Sequence, residues 1–347
     1  MSLPHDTQTL WVRLRTAGAV SGDAPARNDG LPWYLAGLIG VSAWIAAALL
    51  LGFFVTLFDH LWKNPPVAVT AGALCIAAAQ VLLRIARGRE FFEQSAIALS
   101  LVGQLLLGMA FSEWFDDTVF WAVIAAVALT LYVAGGQSTH RFLCGAVFAA
   151  AVVGICNELD TISYDLSQTA LPALAWLAFA AWWRAEYEDG RTLPLSPLAW
   201  ALSLAALLIA FFSGPDRGPP DHGVMTLRIW IVDIAVVVLL PLTVWRLAGL
   251  RRALPLLCAI AFALIWLRAP GVSLGVMLML TAFASHRPAL LATGLIGTGA
   301  YLIRYYYQME VPLLEKSQWL LLGGVALLAI RFALMRTAPR VDAGDRA

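Results

Sequence analysis

The chain has 347 residues, of which 61% are apolar and 13% charged, with a formal net charge of +1 and a mean hydropathy of +0.77. A soluble domain is about half apolar and a quarter charged, so this composition excludes an ordinary soluble fold and makes lipid the main solvent. No basic tract is present that would engage nucleic acid.

Residues 1–32 carry Arg13, Arg15 and Arg27 without an apolar run, which argues against a cleavable signal peptide and leaves insertion to the first span. Leu10, Trp11, Leu14 and Val20 fall near helical spacing, so this cytoplasmic segment is expected to hold a short amphipathic helix on the membrane surface. The transmembrane domain then runs over 33–336. Lipid offers the backbone no hydrogen bonds, so the chain crosses as helices, and about twenty residues make one crossing. Twelve spans are predicted, at 33–58, 66–86, 91–112, 118–135, 140–157, 168–184, 195–213, 228–248, 253–268, 271–285, 287–305 and 315–336. Turn residues separate several of them: Asn64, Pro65 and Pro66; Gly135 and Gly136; the Gly/Pro-rich stretch 213–220; and Ala269, Pro270 and Gly271. Residues 337–347 form a cytoplasmic tail expected to be disordered. The predicted fold class is all-α, a polytopic transmembrane helical bundle with the lipid bilayer as its main partner.

Cytoplasmic loops retain Lys and Arg, which sets orientation. With the N-terminus inside, 17 of the 23 basic residues fall on the cytoplasmic side, and Lys63, Arg217, Arg228, Arg268, Arg304 and Lys316 fall outside. The C-terminus is then also cytoplasmic. The segments 253–268 and 271–285 are each short, at roughly 24 Å where about 30 Å is usual. Fusing them into one broken helix around Pro270 flips all that follows and weakens the partition to 14 against 8. Two spans are preferred, with a re-entrant pair as the alternative, since broken helices line transport sites. Trp33, Trp62, Trp114, Trp121, Trp182, Trp183, Trp230, Trp245, Trp266 and Trp319 lie near span ends, as expected of headgroup-level anchors.

Among polar residues, Asp233 is the one acid well inside a span. A carboxylate at mid-bilayer costs about 2.5–3.5 kcal/mol on insertion scales, so such groups face a partner, a cavity or a proton path. Pro241 follows it and removes one backbone hydrogen bond, which favours a kink. Gln80, Gln104 and Asn157 are uncharged amides in or at the ends of spans, suited to interhelical hydrogen bonds; Gln104 joins Asp233 as a candidate intramembrane polar site. Outer loops concentrate Glu113, Asp116, Asp117, Glu158, Asp160 and Asp165. Hard cations take such ligands, although acidic, solvated outer loops also follow from the charge partition alone. Gly271 and Gly275, with Gly294, Gly297 and Gly299, predict close approach of two consecutive helices.

No cofactor or metal is expected. Cys75, Cys144, Cys156 and Cys258 lie in apolar segments without CxxC spacing and are read as buried small hydrophobes with no histidine beside them. His5, His60, His140, His222 and His286 are assigned to loops or the tail, which leaves no axial haem ligands in the core. No HExxH, GxSxG or GxxxxGK[ST] occurs, and the loop holding Asp59 and His60 is too short for a transferase site.

The most distinctive local text is Tyr305, Tyr306 and Tyr307, then Leu313 and Leu314, then Lys316 and Ser317. With Leu10, Trp11 and the run Pro32, Trp33, Tyr34, Leu35, this resembles the bacterial membrane family known as domain of unknown function 4401. The resemblance implies a multi-span inner-membrane protein, often encoded beside other multi-span proteins, and brings no activity or catalytic residue. Arg304, Tyr305, Tyr306, Tyr307, Lys316 and Ser317 bracket one short outer loop. Their donors suit a lipid phosphate, a partner's carboxylate, Asp233, or plain interfacial anchoring. The functional expectation is a non-enzymatic component of a membrane complex built with other multi-span proteins. A secondary transporter is the alternative, and a transferase on lipid-linked substrates the third.

Overall fold

The computed structural model describes residues 64–85, 90–159, 169–186, 193–212, 233–248, 253–267 and 269–308, with scattered positions in 15–18, 38–52 and 312–332 and at 231. The N-terminal amphipathic helix, the loop 213–220, Arg228, Lys316 and the tail lie outside the described residues. Within them the regular structure is entirely helical. The elements are α1 (Pro65–Ile85), α2 (Glu90–Trp114), α3 (Asp117–Ala134), α4 (Ser138–Leu159), α5 (Ala170–Ala185), α6 (Ser196–Phe212), α7 (Leu239–Ala248), α8 (Ala253–Ile265), α9 (Pro270–Ala284) and α10 (Pro288–Gln308).

Among the described residues, four helices are long and apolar enough to cross a membrane: Pro65–Ile85, Phe91–Trp114, Asp117–Ala134 and Ser138–Leu159. Shorter apolar helices are Ser196–Phe212, Ala253–Ile265 and Pro270–Ala284. Proline sets several starts, because its missing N–H costs nothing in a first turn and its φ is already helical: Pro65, Pro270 and Pro288 each open an element. Apolar side chains face outward along these helices, as lipid-facing surfaces require; Leu74, Ile85, Val133, Leu264, Phe283 and Ile296 are all exposed. In the first and last predicted spans, the described Leu38, Val41, Ile45, Leu49, Leu321, Leu328 and Phe332 are exposed as well.

Glycine lets the backbones approach. A Cβ on Gly72 of α1 would stand 2.8 Å from the Gly103 carbonyl of α2, and one on Gly103 would stand 2.7 Å from that of Gly72. The predicted approach of α9 and α10 is present: Gly275 of α9 lies against Thr298 and Gly294 of α10, and Gly271 against the Tyr301 ring. Gly297 instead faces Leu207 of α6, and Gly299 faces open space. The main apolar core is formed by α4, α5, α6, residues 236–240, α8, α9 and α10, with Leu174, Leu202, Leu239, Met277 and Leu290 fully enclosed.

Side-chain bonds show which helix ends share a side. Arg246, near the end of α7, pairs with Glu186, donates to the Trp183 carbonyl at 3.3 Å and lies 4.5 Å from the Trp183 ring centroid at the end of α5. Arg287, just past α9, lies 5.0 Å from the Trp182 ring centroid. Tyr132, late in α3, donates to the Pro194 carbonyl before α6. Arg304, near the end of α10, is at the opposite end, where it donates to the Phe212 carbonyl closing α6. Arg246 and Arg287 therefore share one end of the helices and Arg304 lies at the other.

The same contacts define the direction of the short pair. α7 ends beside Glu186, α8 turns back along it, and α9 returns to Trp182 at the starting end. α8 and α9 thus run in opposite directions rather than forming one broken rod, although they barely touch and both pack on α7. Pro241 acts as predicted: it cannot donate to the Val237 carbonyl, and the helix is interrupted at Val238 between 233–237 and α7.

One anchor assignment needs correction. Trp182 is buried, donates to Ser203 Oγ at 2.9 Å and meets Trp200 edge to face; it is a core side chain. Because Arg246 holds three partners at once, Arg246→Ala should lower stability by about 2–3 kcal/mol. Arg246→Lys should recover only part of this, since an ammonium lacks the planar fork. Thermal unfolding in detergent checks the order, which fails if Lys and Ala behave alike.

Candidate functional site

A polar seam crosses the apolar interface between α2 and α4. On α2, Glu93, Ser100 and Gln104 are seven and four residues apart, so they share one helix face. On the facing segment, Gln137, His140 and Cys144 follow at three and four residues. The two rows pair in order. Gln137 Nε2 donates to Glu93 Oε2 at 2.5 Å, Ser100 Oγ and His140 Nε2 share a 3.0 Å hydrogen bond, and Gln104 Nε2 reaches Ser100 Oγ at 3.4 Å. Cys144 Sγ lies 3.8 Å from both imidazole nitrogens. From Glu93 to Gln104 the seam descends about 16 Å at 1.5 Å per residue.

Burial makes these bonds consequential, because a polar group removed from water without a partner is costly. Ser100 is 0% exposed, His140 1% and Gln104 7%. Gln104 Oε1 nonetheless has no hydrogen-bond partner. Gly135 makes room for the imidazole, since a Cβ there would collide with His140 Nδ1.

At the arginine-rich end the seam meets a recess of about 260 Å³, lined by Gln80 and Arg84 of α1, Glu93 of α2, and Gly136 and Gln137 before α4. Gln80 Nε2 and Gln137 Oε1 are both buried there without a hydrogen-bond partner. The arrangement can hold a small polar molecule at its mouth and offers a hydrogen-bonding path inward.

Of the predicted site residues, Gln104 belongs to this seam and Asp233 does not. Asp233 is fully buried in the helical stretch 233–237, whose Val236 and Val237 belong to the main apolar core with α5, α6, α8, α9 and α10. Close by, Trp176 Nε1 donates to the Ala235 carbonyl at 3.0 Å. Within the outer cluster, Arg304 lies 5.1 and 5.7 Å from the Phe211 and Phe212 ring centroids. Tyr305 stacks on Tyr301, Tyr306 meets Tyr307 edge to face, Tyr307 is 78% exposed, and Ser317 Oγ donates to the Leu314 carbonyl. Arg304 thus reaches the end of α6, and Lys316 of this cluster lies outside the described residues.

Two assignments are overturned. His140 is not a loop residue: it lies in the first turn of α4 and is enclosed. Cys144 does have a histidine beside it, one turn away on the same helix. Ser100, His140 and the recess residues Arg84, Glu93 and Gln137 carry no local sequence signal of a site beyond the 93, 100 and 104 spacing on α2. No group of three or more His, Cys, Asp or Glu that could hold a metal forms among the described residues. Asp116 and Asp117 instead open α3, where negative charge suits a helix N-terminus.

Fold and seam together define an all-helical protein with membrane-length apolar helices and a polar interface within its N-terminal half. A profile of the family described as Domain of unknown function (DUF4401) matches residues 32–337. The chain belongs to that family. Neither the curated proteins nor the solved structures yield a match to it.

Proposed function

We propose that this is a multi-pass protein of the bacterial inner membrane, with twelve spans and both termini cytoplasmic, that admits a small solute or ion as a secondary transporter or permease. One observation carries the reading: a polar seam, joined to a solute-sized recess, runs into an otherwise apolar helix interface. Such groups are expensive in lipid, and a path for a polar species is their common use. The arginine-rich end, where the recess opens, is the cytoplasmic one under the charge rule.

Proteoliposome counterflow with a panel of small polar solutes tests this. Solute-dependent flux that falls at least tenfold in Gln104→Leu supports it; no flux from any solute, with the protein folded, sinks it. Asp233 lies outside the seam, so Asp233→Asn should leave both proton-linked uptake and the deletion phenotype unchanged. Loss of uptake in that variant would move the path to the other half.

A component of a membrane complex, built with other multi-span proteins, is the second reading. The extended apolar core that joins α4, α5, α6, α8, α9 and α10 favours it. Mild-detergent purification that recovers stoichiometric membrane partners supports it, and recovery of the chain alone counts against it. Reporter fusions placing the C-terminus in the periplasm would overturn the orientation.

A further inference from the structure

The recess is polarised in a way that selects among solutes. Gln80 and Arg84 are one turn apart on α1 and present N–H donors, the guanidinium of Arg84 carrying positive charge. The rest of the polar lining comes from other elements: Glu93 on α2 and Gln137 before α4, which are bonded to each other. Gln137 already spends an N–H on Glu93, which fixes its amide and leaves the carbonyl oxygen as the free end. One wall therefore donates and is cationic, while the other accepts and is anionic. The two buried amide atoms without a partner, Gln80 Nε2 and Gln137 Oε1, fall one on each wall.

We propose that this recess binds a zwitterionic group, its anionic oxygens toward Arg84 and Gln80 and its primary ammonium toward Glu93 and Gln137. A simple anion would satisfy the first wall and face the Glu93 carboxylate; a simple cation would meet the reverse problem. A separated pair of opposite charges with N–H donors complements both. The volume of about 260 Å³ sits just below the roughly 300 Å³ at which drug-sized pockets begin, which suits a free amino acid or one lipid headgroup. Either source carries the same chemistry: an α-amino acid has carboxylate and ammonium, and phosphatidylethanolamine has phosphate and ammonium.

This inference rests on the reading of the recess as a solute site, and binding is measured without flux so that the two fail separately. Full-length protein in detergent is titrated calorimetrically with L-alanine and other free amino acids, and with propionate and ethylamine as single-charge controls. In parallel, native mass spectrometry follows lipid retained from nanodiscs of phosphatidylethanolamine, phosphatidylcholine or phosphatidylglycerol. The expected result is a ligand carrying both charges in one arm or the other, at least tenfold preferred over the controls or over the lipids lacking a primary ammonium. Arg84→Gln, Glu93→Gln and the milder Gln80→Leu should each weaken it at least fivefold. Binding in the calorimetric arm identifies a solute, and retention in the lipid arm a headgroup. The proposal is overturned if propionate or ethylamine binds as well as any amino acid, if no zwitterion binds in either arm, or if all three variants bind like wild type. Zwitterion binding without flux in any assay would overturn transport and leave this site standing; flux of a singly charged solute with zwitterions ignored would do the opposite.

Discussion

Gly103→Val is expected to pry α1 from α2 and to lower the thermal unfolding midpoint in detergent sharply. The reason is what the new side chain meets. A Cβ at this position would stand 2.6 Å from Ile76 Cγ1 and 2.7 Å from the Gly72 carbonyl oxygen. A side chain can swing away, but a helix backbone has to translate. Overpacking of this kind costs about 1–3 kcal/mol, and occasionally more; a backbone contact belongs at the upper end. The displacement also reaches the seam, because Ser100 and Gln104 flank Gly103 on α2 and are positioned by the same helix. Uptake should therefore fall along with stability. Gly299→Ala is the matched control: nothing lies within 4 Å of its Cβ position, and alanine is the better helix former by up to about 1 kcal/mol. Its midpoint should hold or rise slightly. Equal behaviour of the two variants would mean that the α1–α2 contact is not as close as described.

Helix positions were legible because lipid-length apolar runs and proline punctuation act locally. The predicted spans 66–86 and 118–135 correspond to Pro65–Ile85 and Asp117–Ala134, and the physical signal for each lies inside its own segment. Span 253–268 was harder, since its direction depends on partners. It took Arg246 on Trp183 and Arg287 by Trp182 to show that the chain reverses there. Composition also cannot distinguish a wet tryptophan from a buried one, and Trp182 found Ser203 across a helix interface.

The site was less legible for a related reason. Gln104 stood out because an amide in an apolar run is conspicuous. Ser100 does not, since serine is common in such helices, and His140 stands at the very start of a predicted span, where loop and core meet. Their contact spans forty positions of sequence, beyond the reach of any local pattern. Arg84 was read only as a topology marker. Its second role depends on Gln80, Glu93 and Gln137 meeting around one recess, which requires knowing that α1, α2 and α4 come together. Asp233 and Arg304, conspicuous in the sequence as isolated charges, stand apart from the seam, one buried in the stretch 233–237 and one at the end of α6.

Ser100→Ala should destabilise by about 1–3 kcal/mol, because it orphans the imidazole nitrogen and the Gln104 amide together while leaving both buried. His140→Ala should cost more, about 2–4 kcal/mol, since it adds a cavity to the lost bond. The two changes remove one shared interaction, so the double variant should cost less than their sum. A third combination separates structure from function. Ser100→Ala, Gln104→Leu and His140→Leu together replace every deep member of the seam but Cys144 by apolar groups, and replacing partners jointly is far less costly than orphaning one of them. If the seam exists only to hold helices, this triple variant should be as stable as wild type and fully active. If it carries a polar species, stability should return while uptake stays abolished. We expect the second outcome, read by unfolding midpoint and counterflow on the same preparation, because three polar groups buried in one apolar interface, with Gln104 Oε1 still unsatisfied, are a poor choice for packing alone.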